Sequence, residues 1–206
     1  MQNTAYHLNI LIYSNFFLCV QCFCILHHYF CTLILTFYSS WHTKKNPKKK
    51  DALSIKRAVE SLCFQIDWGL KLLGAEKGDL FHQLAKVEVD FISELNLTLD
   101  ILAIKSLVDG VKQNLQIEPT PESGDFTHSV VALALGIASI SHLNDIGSPE
   151  SWREQIEKKL LTIYYPEKQR NKVVDWAKAN GYSTSSYLGR PIVKFKQLYL
   201  IIERTK

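Results

Sequence analysis

Hydrophobic side chains recur at helical spacing over most of residues 52–181. In the first such segment they stand four and three positions apart, which predicts an amphipathic helix from about Ala52 to Leu73, ended by Gly74. The face expected to point inward consists of Ile55, Val59, Leu62, Ile66, Leu70 and Leu73.

Two further periodic segments follow. The pattern predicts a second helix over Leu80–Leu95, with Asp79 as its N-cap, and a third over about Leu97–Leu115. The pattern alone leaves open whether these are two helices or one rod bent at Asn96. The face of the second helix expected to point inward carries Leu80, Leu84, Val87, Phe91 and Leu95.

The most apolar stretch of the body is Phe126–Leu143, which follows a run of turn residues over 118–125. Between Val130 and Ile140 the only polar side chain is Ser139. A helix that is apolar on nearly every side belongs inside a bundle, so we expect one central helix here. A stripe of small side chains would let a neighbouring helix approach it closely: Ser129, Ala132, Gly136 and Ser139.

Two more helices are expected after this stretch. Ser148 and Pro149 form a strong helix start, and Pro166 begins a sixth helix that stops at Gly181. The segment Ile192–Ile202 is rich in β-branched and aromatic residues and is interpreted as a strand without an evident partner, although a short helix fits as well. Helix five is expected to present Trp152, Ile156, Leu160 and Ile163.

These elements predict a mainly α fold. Residues 51–206 are expected to form a single helical bundle of about six helices with a short strand-like segment at its C-terminal end. An apolar leader with a Lys-rich linker, residues 1–50, precedes this domain.

The leader has its own composition. Residues 1–43 contain no Asp, Glu, Lys or Arg, and five lysines follow over 44–50. Phe16–Tyr38 is long enough to cross a hydrocarbon core of about 30 Å, and the lysines would keep the rest of the chain in the cytoplasm. Two other interpretations stay open: a misassigned start, since residues 51–206 contain no Met, and a buried or signal-like segment.

Charge is unevenly distributed along the body. Residues 51–125 carry seven basic and thirteen acidic side chains, net −6, whereas residues 166–206 carry nine and three, net +6. The body contains a single cysteine, Cys63, which indicates a reduced intracellular domain without a disulfide framework.

The sequence contains no motif that identifies a reaction. A Gly-rich phosphate loop, a Gly-x-Ser-x-Gly elbow and a His-Glu-x-x-His pair are all missing. The leading interpretation is therefore a non-enzymatic helical interaction or scaffold module, with an unidentified protein partner, no cofactor, and membrane contact through residues 16–38 if the leader is genuine.

Nucleic-acid binding by the basic end is the main alternative. Val173–Leu188 has the spacing of a helix-turn-helix, in which Ala177 allows close helix crossing and Gly181 makes the turn. The second helix would be barely two turns long before Gly189 and Pro191, so the interaction module stays ahead. The candidate phosphate contacts are Lys168, Arg170, Lys172, Lys178, Arg190, Lys194 and Lys196.

A metal-dependent enzyme is the third and weakest interpretation. The pattern Gly-Asp-x-x-His occurs twice, and its carboxylates and imidazoles are metal ligands in helical bundles. Both copies stand at expected helix starts, where Asp is a preferred cap, so capping is favoured and no metal ligand is assigned. The residues concerned are Asp79, His82, Asp125 and His128.

Overall fold

A computed structural model describes residues 47–75, 79–121, 123–139 and 148–205, without the side chains of residues 47–52. The predicted membrane segment, Phe16–Tyr38, lies outside these residues. In the described part of the chain, no helix combines the length and the apolar character needed to cross a membrane. The chain divides after Leu53, and Ser54–Lys206 form one compact unit.

The described elements come in two groups. The first group is helical: α1 (Pro47–Leu72), α2 (Leu80–Glu94), α3 (Thr98–Leu115), a 3-10 helix (Asp125–His128), α4 (Val130–Ala134) and α5 (Pro149–Glu157). The second group is mixed: β1 (Leu160–Pro166), α6 (Glu167–Ala179), β2 (Ser183–Tyr187), β3 (Arg190–Lys194) and β4 (Tyr199–Thr205). The prediction of a single helical bundle is therefore wrong, because a four-stranded mixed sheet completes the fold.

The first three helices are confirmed, and α2 and α3 are separate. Asn96 adopts a left-handed conformation (φ 58°), which ends one helix before the next begins. Asp79 caps α2 as expected, because its carboxylate accepts the N–H of His82 at 3.0 Å. The predicted inward face of α2 is correct only in part. Leu84, Phe91 and Leu95 pack against the core, but Leu80 is 63% exposed and Val87 is 38% exposed. The buried residues of α2 are Ala85, Glu88 and Ile92.

The expected central helix over Phe126–Leu143 is also wrong in its described part, residues 126–139, although most of these residues are at least partly buried. Helix α4 has only five residues, and Gly136 (φ 70°) turns the chain soon after it. The close approach of a second helix occurs through Gly69 of α1. A Cβ atom on Gly69 would lie 1.8 Å from the carbonyl oxygen of Ala134, so α1 packs directly on this backbone.

Helix five is correct only in its first half. Lys159 has a positive φ of 55°, and the chain continues as β1. Leu160 and Ile163 fit a helical step, but the segment Leu-Leu-Thr-Ile-Tyr-Tyr is β-branched and aromatic and buries every second residue. Hydrophobic periodicity alone does not distinguish a helix from a strand here. The segment forms a strand because it pairs with β4, which is distant in sequence.

The sheet has the strand order β1-β4-β3-β2. Strand β4 pairs in parallel with β1 and antiparallel with β3, and β2 and β3 form a hairpin. The segment Ile192–Ile202 thus contains parts of two strands, β3 and β4. Their further partners are β1, which was predicted as part of helix five, and β2, which was helical only in the helix-turn-helix interpretation.

The two faces of the sheet differ because side chains alternate along a strand. One side, the core face, packs with α5 and α6 and joins the hydrophobic core through Leu161, Ile163, Tyr165, Val193, Leu200 and Ile202. The other side, the open face, carries the alternate residues of the same strands. Its two central side chains, Ile192 and Ile201, are buried but lie outside the core cluster.

The turn-rich run over 118–125 covers the outer edge of β1. Thr120 donates its N–H to the carbonyl oxygen of Tyr164 at 2.8 Å, and Asp125 accepts the N–H of Thr162 at 2.7 Å. Gly124 bridges to Ile163 in the same region. These contacts satisfy an edge that would otherwise present unpaired backbone groups.

Candidate functional site

The predicted helix-turn-helix is not formed. Helix α6 ends at Ala179 and Gly181 turns the chain (φ 82°) as expected, but the following residues form β2. Leu188 and Gly189 both have positive φ, 50° and 76°, and connect β2 to β3 as a two-residue hairpin turn. Gly189 and Pro191, which shortened the expected second helix, belong to this hairpin.

Six of the seven candidate basic residues therefore lie on two separate surfaces. Helix α6 packs on the core face through Val173 and Ala177, so its charged residues lie on that side of the sheet. Arg190 and Lys194 belong to the open face, on the opposite side of the sheet. The α6 set is Lys168, Arg170, Lys172 and Lys178, and Lys196 lies exposed in the connection between β3 and β4.

Strand register arranges the open face in three rows across the strands. The first row contains Leu160, Tyr199, Lys194 and Ser183. The second contains Thr162, Ile201, Ile192 and Ser185. In the third row, Tyr164 stands opposite Glu203 and Arg190 stands opposite Tyr187, and an ion pair between Arg190 and Glu203 joins the two pairs.

Each outer row places a tyrosine beside a cation. The Lys194 ammonium lies 5.8 Å from the centroid of the Tyr199 ring, within cation–π range. Arg190 lies directly across from Tyr187 in the hairpin, and its Nε lies 3.9 Å from a carboxylate oxygen of Glu203. Tyr199 is 37% exposed and Tyr187 is 45% exposed, so both side chains are open to solvent beside a cation.

A buried carboxylate fixes the connection between β3 and β4. Asp100 is 1% exposed, and its Oδ1 accepts the N–H of Gln197 at 2.7 Å and of Leu198 at 3.1 Å. Its Oδ2 is buried without a hydrogen-bond partner in the described structure. Sequence reasoning missed this role. The available signal was that Asp100 falls on the same helical face as Leu97, Ile101 and Ile104.

A second buried carboxylate lies within the helical layer. Glu88 accepts hydrogen bonds from the Ser129 hydroxyl and from the N–H groups of Val130 and Val131, and so holds the start of α4. Burial raises the pKa of Glu88, although these three donors oppose the increase. Glu88 is therefore a structural anchor inside the fold, another role that hydrophobic periodicity did not predict.

The four candidate metal ligands do not form a cluster. Asp79 contacts His82 at 3.1 Å within the cap of α2, and the backbone N–H of His82 is the main cause of the lowered pKa of Asp79. Asp125 accepts a hydrogen bond from the backbone N–H of Thr162 in β1, and His128 is exposed. Over the residues that the structure covers, no group of three or more His, Cys, Asp or Glu side chains could hold a metal ion.

A groove of about 400 Å³ lies between α1 and α2. Cys63 lines it together with Asp67, His82 and Asp90. Burial, then the negative charge of Asp67, raises the pKa of the Cys63 thiol. Because a nucleophilic cysteine requires a lowered pKa, the groove has no activated thiol.

Comparison with models of protein families finds no match for this chain, and comparison with curated proteins finds none either. A functional proposal therefore rests on the chemistry of the described residues.

Proposed function

We propose that this chain is a non-enzymatic module that binds nucleic acid at the open face of its C-terminal sheet. The observation that carries the proposal is the position of Arg190 and Lys194, which share one solvent-exposed sheet face with Tyr187 and Tyr199. Cations that contact phosphates and aromatic rings that contact bases are the two groups that nucleic-acid surfaces combine.

The charge distribution favours one orientation of a polyanion. Residues 166–206 are net +6, whereas residues 51–125 are net −6. Phosphates are attracted to the first region and repelled by the second, so the C-terminal part is the one a nucleic acid would approach.

The α6 surface is less suitable than the open face. Asp175 stands on the exposed side of α6, three residues from both Lys172 and Lys178. Arg170 is half-buried, and its Nε is buried without a hydrogen-bond partner in the described structure. Of the four cations of α6, Arg170 is therefore partly withdrawn from solvent, and an exposed acid lies between Lys172 and Lys178.

The test compares the two surfaces in the full-length chain. We expect the double variant Arg190→Ala/Lys194→Ala to weaken binding of a fluorescent oligonucleotide and to reduce the logarithmic salt slope by about 1.4 for a single strand. The matched control, Lys168→Ala/Lys172→Ala on α6, removes the same charge and should have a smaller effect. Equal losses would reject the open face as the site, and no salt-dependent binding at all would reject the function.

Binding of a protein partner is a second candidate, favoured by a specific feature of α1. Phe64, Trp68 and Leu72 recur every fourth residue and are 71%, 56% and 72% exposed. Such an apolar stripe on a helix is typical of interaction surfaces. A photo-crosslinking residue at position 64 should give adducts with a partner in cells, whereas one at exposed Gln113 should not; adducts at neither position would remove this candidate.

We also propose that the module functions in a reducing compartment. Cys63 is a free thiol, which suits a reducing, cytoplasmic compartment. Membrane attachment through residues 16–38 remains a separate prediction.

A further inference from the structure

We infer that the open face takes a single strand rather than a duplex, with bases stacked on Tyr199 and Tyr187 and phosphates held by Lys194 and Arg190. This inference rests on the proposed function and specifies its ligand. The observation behind it is that the tyrosine and the cation exchange sides between the two outer rows. In one row a tyrosine on β4 stands beside a lysine on β3, and in the other an arginine on β3 stands beside a tyrosine on β2.

The two tyrosines flank a line of cations. Lys194 and Arg190 stand on the same strand with Ile192 between them on the same face. They are four residues apart, which corresponds to about 13 Å along a strand. Tyr199 and Tyr187 lie on opposite sides of β3, so a nucleic-acid strand that contacts both cations passes one tyrosine ring at each end.

A single strand suits this arrangement better than a duplex does. In a duplex the base faces are covered by neighbouring base pairs, and grooves are read by helices or strands that protrude into them. The open face offers a sheet surface whose cationic strand, β3, is bordered by β2 and β4. Aromatic side chains on such a surface bind bases that are unpaired and splayed out.

Glu203 limits the track on one side. It lies between Tyr164 of β1 and Arg190 of β3, and its carboxylate repels phosphate where Arg190 does not neutralise it. The bound nucleic-acid strand is therefore expected to cross β4, β3 and β2, and Glu203 separates it from Tyr164. Tyr164 is thus a tyrosine of the open face that the bound nucleic acid should not contact.

The experiment measures binding of fluorescent oligouridylate, oligothymidylate and duplex DNA to the full-length chain at several salt concentrations. We expect both single strands to bind more tightly than the duplex. Tyr199→Ala and Tyr187→Ala should each weaken single-strand binding about tenfold and leave the salt slope unchanged, because stacking carries no charge. Tyr199→Phe keeps the ring and should bind like the natural chain.

Tyr164→Ala is the matched control and should change binding little. Circular dichroism and thermal melting identify any variant that does not fold, and Tyr187→Ala still tests stacking if Tyr199→Ala is one of them.

The outcomes separate the inference from the proposed function. If no oligonucleotide binds, both fail. If the Arg190/Lys194 variant weakens binding but the duplex binds as well as a single strand and Tyr199→Ala changes nothing, the function stands and the stacking inference is wrong. If Tyr164→Ala weakens binding as much as Tyr199→Ala, the path across β4, β3 and β2 is wrong.

Discussion

The two faces of the C-terminal sheet are built by the same four strands and have different chemistry. On the core face, Leu161, Val193, Leu200 and Ile202 are at most 1% exposed and pack with the helices. On the open face, the middle row places Ile192 and Ile201 between a threonine and a serine, and the outer rows carry three tyrosines, a lysine, an arginine and a glutamate.

The difference separates two tasks. The core face supplies the hydrophobic burial that fixes the sheet on the helical layer. On the open face, Ile192 and Ile201 are buried in the centre, while charged and aromatic side chains of the outer rows reach solvent. The following changes compare the two faces and the segments that support them.

The largest effect is expected from neighbouring isoleucines on β4. Ile202→Ala removes a core side chain that is 0% exposed and should lower the free energy of unfolding by about 3–5 kcal/mol. Ile201→Ala acts on the open face, where water can fill the space, and should cost about 1–2 kcal/mol. Urea denaturation of both variants gives the comparison; equal costs would mean that the open face is covered like a core.

A smaller loss is expected at the connection between β3 and β4. Asp100→Ala leaves the N–H groups of Gln197 and Leu198 without their acceptor, which should cost about 2–3 kcal/mol. Asp100→Asn retains an acceptor oxygen and should cost less. If thermal melting shows both variants to be as stable as the natural chain, Asp100 does not anchor this connection.

The helical layer beneath the core face gives a pH-dependent effect. Since the pKa of Glu88 is raised in the folded state, the fold loses stability as pH rises from the ordinary glutamate value through the raised one. Glu88→Gln should remove this part of the pH dependence. Denaturation at several pH values between 4 and 8 measures it, and an unchanged profile would contradict the assignment.

The hairpin beside the open face offers a small gain. Leu188 has a φ of 50°, a conformation in which asparagine is better tolerated than leucine. Leu188→Asn should therefore raise the free energy of unfolding by about 0.5–1 kcal/mol and leave nucleic-acid binding unchanged. A loss of stability would show that the exposed leucine side chain has a packing role.

The smallest effect is expected in affinity. Glu203→Gln removes the acid of the open face and should tighten single-strand binding about two- to fivefold, the range of one exposed charge. Weaker binding instead would mean that Glu203 is needed to position Arg190.

Local signals predicted much of the helical half. The caps at Asp79 and Ser148 and the turn at Gly181 all appear in the structure, because a cap or a left-handed turn is determined by a few adjacent residues. The inward face of α2 was predicted only in part, because Glu88 is buried by partners about forty residues away.

The sheet could not be predicted in the same way. Leu160 and Ile163 fit both a helix and a strand, and the choice depended on β4, whose pairing with β1 is distant in sequence. The candidate site could be predicted only in part. Arg190 and Lys194 were among the candidates. Tyr187 and Tyr199 could be added only once the strand register placed them beside these cations.

Strand β4 is the last of the four strands in chain order, yet it lies between β1 and β3 and pairs with both. During synthesis, β1 leaves the ribosome well before its only neighbour in the sheet exists. The hairpin of β2 and β3 can form early, but neither it nor β1 can join the other until Tyr199–Thr205 has emerged. Completion of the sheet is therefore a late, non-local step, which makes folding of this half slower than that of the helices before it.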